Sequence, residues 1–207
     1  MKYEEIKLTI PTEWNDISIG MYQEFVAINK KKMSEEEKIV KIVCCLCEVE
    51  ESVLERFKYK DLKYISDKLV KLINSEMNKD ELIKKVEFNG ERYGIIPNFS
   101  SISLGEFVDI EGYCKNSHDN LHKIMSIMYR PIVKEKGSMY SIEGYKPDDY
   151  KEDLFKGFPI LASISALSFF FRLGKKLKLA LLKYSLKQTN KEIAMLKRLQ
   201  RSGVGTT

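Results

Sequence analysis

At 207 residues with 43% hydrophobic content, the chain holds one domain, or two small ones sharing a core, with a sizeable interior. Its 31% charged residues argue against a chain embedded in lipid, and its net charge of +5 is unevenly placed. The opening Met1-Lys2-Tyr3-Glu4-Glu5 is charged and leads into a strand pattern, so no secretory leader is expected.

Residues 3–10 alternate imperfectly and end at Pro11, which has no N–H to give to a ladder; a strand is expected over about 4–10. Ser18 can then cap a helix over 19–30, with Tyr22, Phe25, Val26 and Ile28 at helical spacing. Ser34-Glu35-Glu36-Glu37 reads as a capping box that opens a helix through Ile39, Val40, Ile42, Val43 and Leu46. Cys44, Cys45 and Cys47 crowd into one turn of that helix, where they cannot form a regular disulfide framework, and with Cys114 they suit a reducing compartment. Their C-x-x-C spacing sits mid-helix and has no second pair to complete a zinc site, so they read as buried small apolar residues. Ser52-Val53-Leu54-Glu55 reads as another box, and Asp61 as the cap of a helix carrying Leu62, Ile65, Leu69, Leu72 and Ile73. A further short helix is expected over about 79–84.

The period then changes. Val86-Glu87-Phe88, Asn89-Gly90 and Glu91 to Ile96 predict a hairpin over 85–96, because Asn-Gly supplies the positive φ angles of a type I′ turn. With residues 4–10 it predicts a three-stranded antiparallel sheet. Ser103-Leu104-Gly105-Glu106 is a capping box before a helix to about Tyr113, and a helix over about 118–129 stops before Pro131. Residues 131–150 read as an extended arm, long enough to be functional or to contact a partner. Its candidate contact residues are Arg130, Pro131, Tyr140, Ile142 and Tyr145. Residues 159–201 read as a long helix or helix pair, apolar and then basic, with Gly174 as a possible break and 202–207 as a flexible tail. The apolar run Phe158–Phe171 is shorter than the roughly 18–20 residues that span a bilayer, and it reads as buried on all sides. The fold class expected is mainly α, a helical bundle with a small antiparallel sheet and a long C-terminal helix.

The chain also repeats itself. Ile10-Pro11 followed by Ile17-Ser18-Ile19-Gly20-Met21-Tyr22 returns as Ile96-Pro97 followed by Ile102-Ser103-Leu104-Gly105-Glu106-Phe107. The repeat, spanning 10–28 and 96–113, marks two strand-to-helix corners on one small sheet, within a body running to about residue 158.

Charge concentrates near the end. The segment 172–201 carries Arg172, Lys175, Lys176, Lys178, Lys183, Lys187, Lys191, Lys197, Arg198 and Arg201 against the single acid Glu192. Three readings stand: a solvated helix, a surface for an acidic protein, or nonspecific contact with a DNA backbone.

No catalytic constellation is found. His118 and His122 have i, i+4 spacing but no evident third ligand, and read as exposed; the phosphate-binding loop and the Gly-x-Ser-x-Gly elbow are both lacking. The expectation is a non-enzyme without cofactor, metal, membrane or small-molecule substrate.

Ile10-Pro11 with Asp16 to Tyr22, and Ile96-Pro97-Asn98 through Phe107, resemble small helical proteins from the structural gene blocks of tailed phages. Tyr129-Arg130-Pro131-Ile132, Tyr140 to Tyr145 and the Phe169-Phe170-Phe171 helix are similar to the rest of that pattern, nearest to virion proteins of crAss-like phages of Bacteroidetes. The resemblance covers about 10–175 and brings no site residues with it. It implies either a ring component of the portal–tail connector or a tail-assembly chaperone absent from the mature virion. Either would be made in the bacterial host cytoplasm. A connector would contact copies of itself and neighbouring portal and tail proteins around the DNA channel.

Overall fold

The computed structural model describes residues 8–77, 81–99, 102–146, 149–176 and 187. The chain divides into two compact units, Met1–Ala166 and Leu167–Thr207.

The first unit begins with four helices: α1 (Ile19–Lys30), α2 (Glu35–Cys47), α3 (Glu51–Leu54) and α4 (Tyr59–Ile73). A sheet follows, made of β1 (Lys85–Phe88), β2 (Glu91–Ile95), β3 (Tyr129–Lys136) and β4 (Met139–Ile142), with α5 (Leu104–Cys114) and α6 (Leu121–Met128) inserted between β2 and β3. The strand order is β1-β2-β3-β4, every pair antiparallel. Then come α7 (Asp149–Leu154), a 3₁₀ turn at Phe155–Gly157, and a helical stretch over 160–166. The mainly α class with one small antiparallel sheet is as the sequence predicts.

Local signals placed several elements correctly. The β1–β2 turn has Asn89 at φ 50° and Gly90 at φ 75°, the left-handed pair that the Asn-Gly dipeptide foretold. Ser34 Oγ accepts from Glu37 N–H at 3.1 Å and opens α2. Cys45 and Cys47 are buried in α2, and burial pushes the Cys45 thiol up to about 12 and Cys47 to about 11. These thiols pack rather than react; Cys45 Sγ donates to Met21 O across the α1–α2 contact at 3.3 Å.

The sheet corrects the expected strand set. Residues 8–10 form no strand, residues 4–7 of the expected strand lie outside the described residues, and the strand beside β2 is β3, from the segment read as an arm. Tyr129, Ile132 and Val133 are aromatic or β-branched, which suits a strand, and Pro131 stands opposite Tyr93 with its carbonyl still accepting from Glu143 N–H at 3.0 Å. Residues up to 142 are therefore extended but paired, turning back through Gly137 at φ 61° into β4. A register shift between Ile132 and Lys134 marks a bulge at Val133.

Helix starts needed similar correction. α3 begins after Glu50, leaving Ser52 inside the helix, and α4 begins after Lys58, leaving Asp61 in its first turn. Residues 81–84 form no helix. Tertiary bonds hold that stretch open: Lys84 O accepts from Ile95 N–H at 2.9 Å, Ile83 O from the Tyr129 hydroxyl at 2.5 Å, and Ile83 N–H donates to Ser165 Oγ at 3.3 Å.

The core joins the sheet to the end of the first unit. Phe88, Tyr93, Tyr129, Phe155 and Phe158 form an aromatic cluster, with centroids 4.9 Å apart for Tyr129–Phe158, 5.0 Å for Phe155–Phe158 and 5.4 Å for Phe88–Phe158. Burial of the following helical stretch is one-sided. Ile160, Ala162, Ser163, Ser165 and Ala166 are buried, while Leu161 and Ile164 are only half-buried, so within this chain the stretch is buried on one side.

In the second unit residues 167–176 are helical, and Gly174 lies within the helix without breaking it. Phe171 is half exposed, with its ring 6.3 Å from that of Phe170. Lys175, Lys176 and Lys187 are exposed. The other basic positions, Lys178, Lys183, Lys191, Lys197, Arg198 and Arg201, lie outside the described residues, as do most of the expected long C-terminal helix and the tail 202–207. Among the described residues no helix is long and apolar enough to cross a membrane.

Candidate functional site

A cleft of about 360 Å³ opens between α5, α6, the start of β3 and residues 143–146, with Glu152 of α7 on its rim. Three residues named from the sequence meet there: Arg130, Pro131 and Tyr145. The chain brings them together because α6 runs straight into β3, so Arg130 leaves the helix end pointing back towards α5.

Arg130 is the hub. Its Nη2 lies 2.6 Å from Glu106 Oε1, and both side chains are largely buried. Its guanidinium carbon stands 6.0 Å from the centre of the Tyr145 ring. Its Nε is buried without a hydrogen-bond partner among the described residues. Glu106 is at once the N3 residue of α5 and the anchor of this pair. Its Oε2 accepts from Ser103 N–H at 2.7 Å and from Ser103 Oγ at 2.6 Å. Burial pushes the Glu106 carboxyl up, but the Ser103 hydrogen bonds and the Arg130 charge outweigh it and hold the group below the usual carboxylate range.

Tyrosine–carboxylate pairs line the rest. The Tyr145 hydroxyl donates to Asp109 Oδ2 at 2.5 Å, and the Tyr113 hydroxyl donates to Glu152 Oε1 at 3.0 Å. Lys123 Nζ completes the second pair, 3.1 Å from Glu152 Oε2 and 5.3 Å over the Tyr113 ring. Burial, then the neighbouring carboxylates, raises both hydroxyls above their ordinary values, so they stay protonated donors at neutral pH. These acids already have partners, which makes the cleft a set of cross-links between α5, α6, α7 and the 143–146 segment. Among the described residues of the cleft, no nucleophile is seen paired with a base.

Glu106, Asp109 and Tyr113 share one face of α5 at i, i+3 and i+7. That spacing was legible, but Glu106 was read only as a cap and the other two were not singled out.

The remaining predicted contact residues lie in the sheet. The Tyr140 hydroxyl donates to Ile95 O at 2.8 Å, its ring packs onto Gly94 where any Cβ would collide with it, and Lys85 Nζ stands 5.3 Å over it. Ile142 pairs with Ile132. Close by, Glu135 joins three strands through Lys85 at 2.6 Å and Arg92 at 2.5 Å.

The histidines need correction. Residues 118–120 form a turn and α6 begins at Leu121, so the pair is not on one helix, and His122 is buried rather than exposed. The cause is α1: Gln23 Nε2 donates to His118 O at 2.7 Å and Asp119 O at 2.9 Å, and lies 3.4 Å from His122 Nδ1. Burial, then Lys156 and Lys123, lowers the His122 pKa and leaves the ring neutral at pH 7. Among the described residues no group of three or more His, Cys, Asp or Glu could hold a metal ion.

Apolar side chains face outward on α4, at Tyr59, Tyr64 and Val70, and on two further surfaces. On α5 these are Leu104, Phe107 and Val108, exposed by 77%, 44% and 53%; on the β3–β4 hairpin they are Val133 and Met139, exposed by 56% and 71%. No protein-family model, curated protein or solved structure matches the chain. What it does must be argued from these surfaces.

Proposed function

We propose that the protein is a non-enzymatic structural component of a tailed-phage virion. In this reading it is a ring subunit of the portal–tail connector, assembling with copies of itself and with portal and tail proteins around the DNA channel. The β3–β4 hairpin carries the reading. Residues 133–139 are exposed throughout, with the apolar Val133 and Met139 among them, and β4 is an edge strand of the sheet. An exposed, partly apolar edge is a surface for strand addition by a neighbouring subunit. Next to its turn the hairpin is fixed by the Glu135 ion pairs and by Tyr140, so a contact made at the tip transmits to the sheet rather than bending a loop.

The phage setting comes from the resemblance over residues 10–175, and the basic segment 172–201 suits an acidic neighbour or a phosphate backbone. A tail-assembly chaperone is the second reading, favoured by the apolar outer face of α5, which suits an apolar client.

Mass spectrometry of purified particles of the encoding phage separates the two. A connector subunit is present in mature virions. Its absence there sinks the connector reading and leaves the chaperone.

A further inference from the structure

Both copies of the repeat fold into the same local corner. Ser18 Oγ accepts from Met21 N–H at 3.2 Å, and Ser103 Oγ accepts from Glu106 N–H at 3.3 Å. The two capping serines have nearly the same backbone, φ −83°, ψ 164° and φ −69°, ψ 157°. Beyond this the copies part.

The first corner is covered by the chain itself. Ile19 N–H donates to Phe158 O at 2.9 Å and Ile160 N–H donates to Ile17 O at 2.9 Å, an antiparallel bridge that sets Ser18 opposite Pro159. Ile17 and Ile19 are consequently buried, at 2% and 0% exposure. Gly20 permits the approach: a Cβ there would stand 3.2 Å from Lys156 O.

The second corner has the same pattern of side chains and no such cover among the described residues. Leu104, the counterpart of Ile19, is 77% exposed. Gly105, the counterpart of Gly20, has nothing within 4 Å of where its Cβ would stand. Phe107 and Val108 follow Leu104 at i+3 and i+4, so the three form one outward apolar face. Glu106 belongs to the opposite face, committed to Arg130, and brings no charge to this one.

We propose that the α5 corner is a docking site for an extended apolar segment of another protein chain. The segment is of aromatic–proline–aliphatic type and pairs antiparallel with residues 102–104. The first corner identifies the occupant, because Phe158-Pro159-Ile160 fills the same local geometry within this molecule. Proline is compatible opposite the capping serine, since the bridge at Pro159 uses the N–H groups of Ile19 and Ile160 and none from the proline. Aromatic and aliphatic side chains on either side of it supply the cover that Leu104, Phe107 and Val108 lack. The site is independent of the connector reading: it acts in a ring subunit or in a chaperone alike.

The test uses the full chain and a fluorescein-labelled peptide of sequence Leu-Phe-Lys-Gly-Phe-Pro-Ile-Leu-Ala-Ser, copied from residues 154–163. Anisotropy titration is expected to show saturable binding to the wild-type protein. Leu104→Asp and Phe107→Asp are each expected to weaken binding by at least about tenfold, equivalent to about 1.4 kcal/mol. Val70→Asp, on the exposed face of α4, is expected to leave binding unchanged. All three positions are exposed, and unchanged circular-dichroism melts verify that the variants fold. No binding at about 1 mM peptide, a millimolar limit being about −4 kcal/mol, overturns the proposal. So does binding that survives Leu104→Asp, which would place the peptide at the first corner. Sedimentation showing a wild-type dimer that Leu104→Asp turns into a monomer also overturns it, since a second copy would then be the occupant.

Discussion

Ile19 and Leu104 hold the same place in two copies of one motif, yet Ile19 is fully buried and Leu104 is 77% exposed. Their capping serines are equivalent, so local chemistry is not the difference. The difference is the 158–160 segment, which reaches the first corner from far along the chain. The N3 residues diverge in the same sense. Met21 offers only its Sδ to Ser18 N–H, at 3.4 Å, whereas Glu106 bonds Ser103 closely and carries the corner on to Arg130. One corner is held by apolar cover and the other by a buried ion pair. A repeated sequence thus specifies a repeated turn, and its surroundings decide what that turn is for.

The sharpest way to break this comparison is one substitution made twice. Ile19→Asp places an unpaired charge in the core and is expected to cost more than about 4 kcal/mol, whereas Leu104→Asp should stay within about 0.5 kcal/mol. Urea unfolding reads both, and equal costs would mean that the corners are not differently covered.

Next in size is Glu106→Ala, which strands the largely buried Arg130 and is expected to cost about 3 kcal/mol. Met21→Ala, at a half-buried site, should cost about 1–2 kcal/mol. If the two losses match, the ion pair contributes nothing beyond packing.

The same pair has a pH signature. The folded Glu106 carboxyl lies below its unfolded value of about 4.3, so its stabilisation is fully present above that pH and is lost as pH falls through the folded value. Urea midpoints measured downward from about pH 5 should therefore fall less steeply in Glu106→Gln than in wild type. Identical slopes would remove the assigned role.

The smallest effects belong to the glycines. Gly105→Ala, with open space around it, is expected to stabilise by roughly 0.5 kcal/mol, while Gly20→Ala, crowded by Lys156 O, should yield no gain.

Much of the helical framework was legible because its signals are local. Ser18, Ser34 and Ser103 cap the helices they were expected to cap, and Asn89-Gly90 makes its turn. Misreadings arose at helix starts and where a distant bond closed over a local signal. Ser52 and Asp61 have the composition of caps but sit within their helices. His122 looked exposed until Gln23 of α1 closed over the turn before α6. Of the cleft, Arg130, Pro131 and Tyr145 were found through their setting in a long non-helical segment. Asp109, Tyr113 and Glu152 were not, because a tyrosine–carboxylate pair on separate elements leaves no spacing to read.

The sequence by itself determined most of the helices, the serine caps of α1, α2 and α5, the first hairpin and the existence of two like corners, since each depends on residues within a few positions of one another. The tertiary structure decided that the supposed arm is half of the sheet, that Glu106 and Arg130 are one unit, and that among the described residues only the first corner is covered. Those outcomes depend on which distant segment arrives at a surface, and hydrophobic burial and ion pairing reward the arrival without writing it into the local pattern.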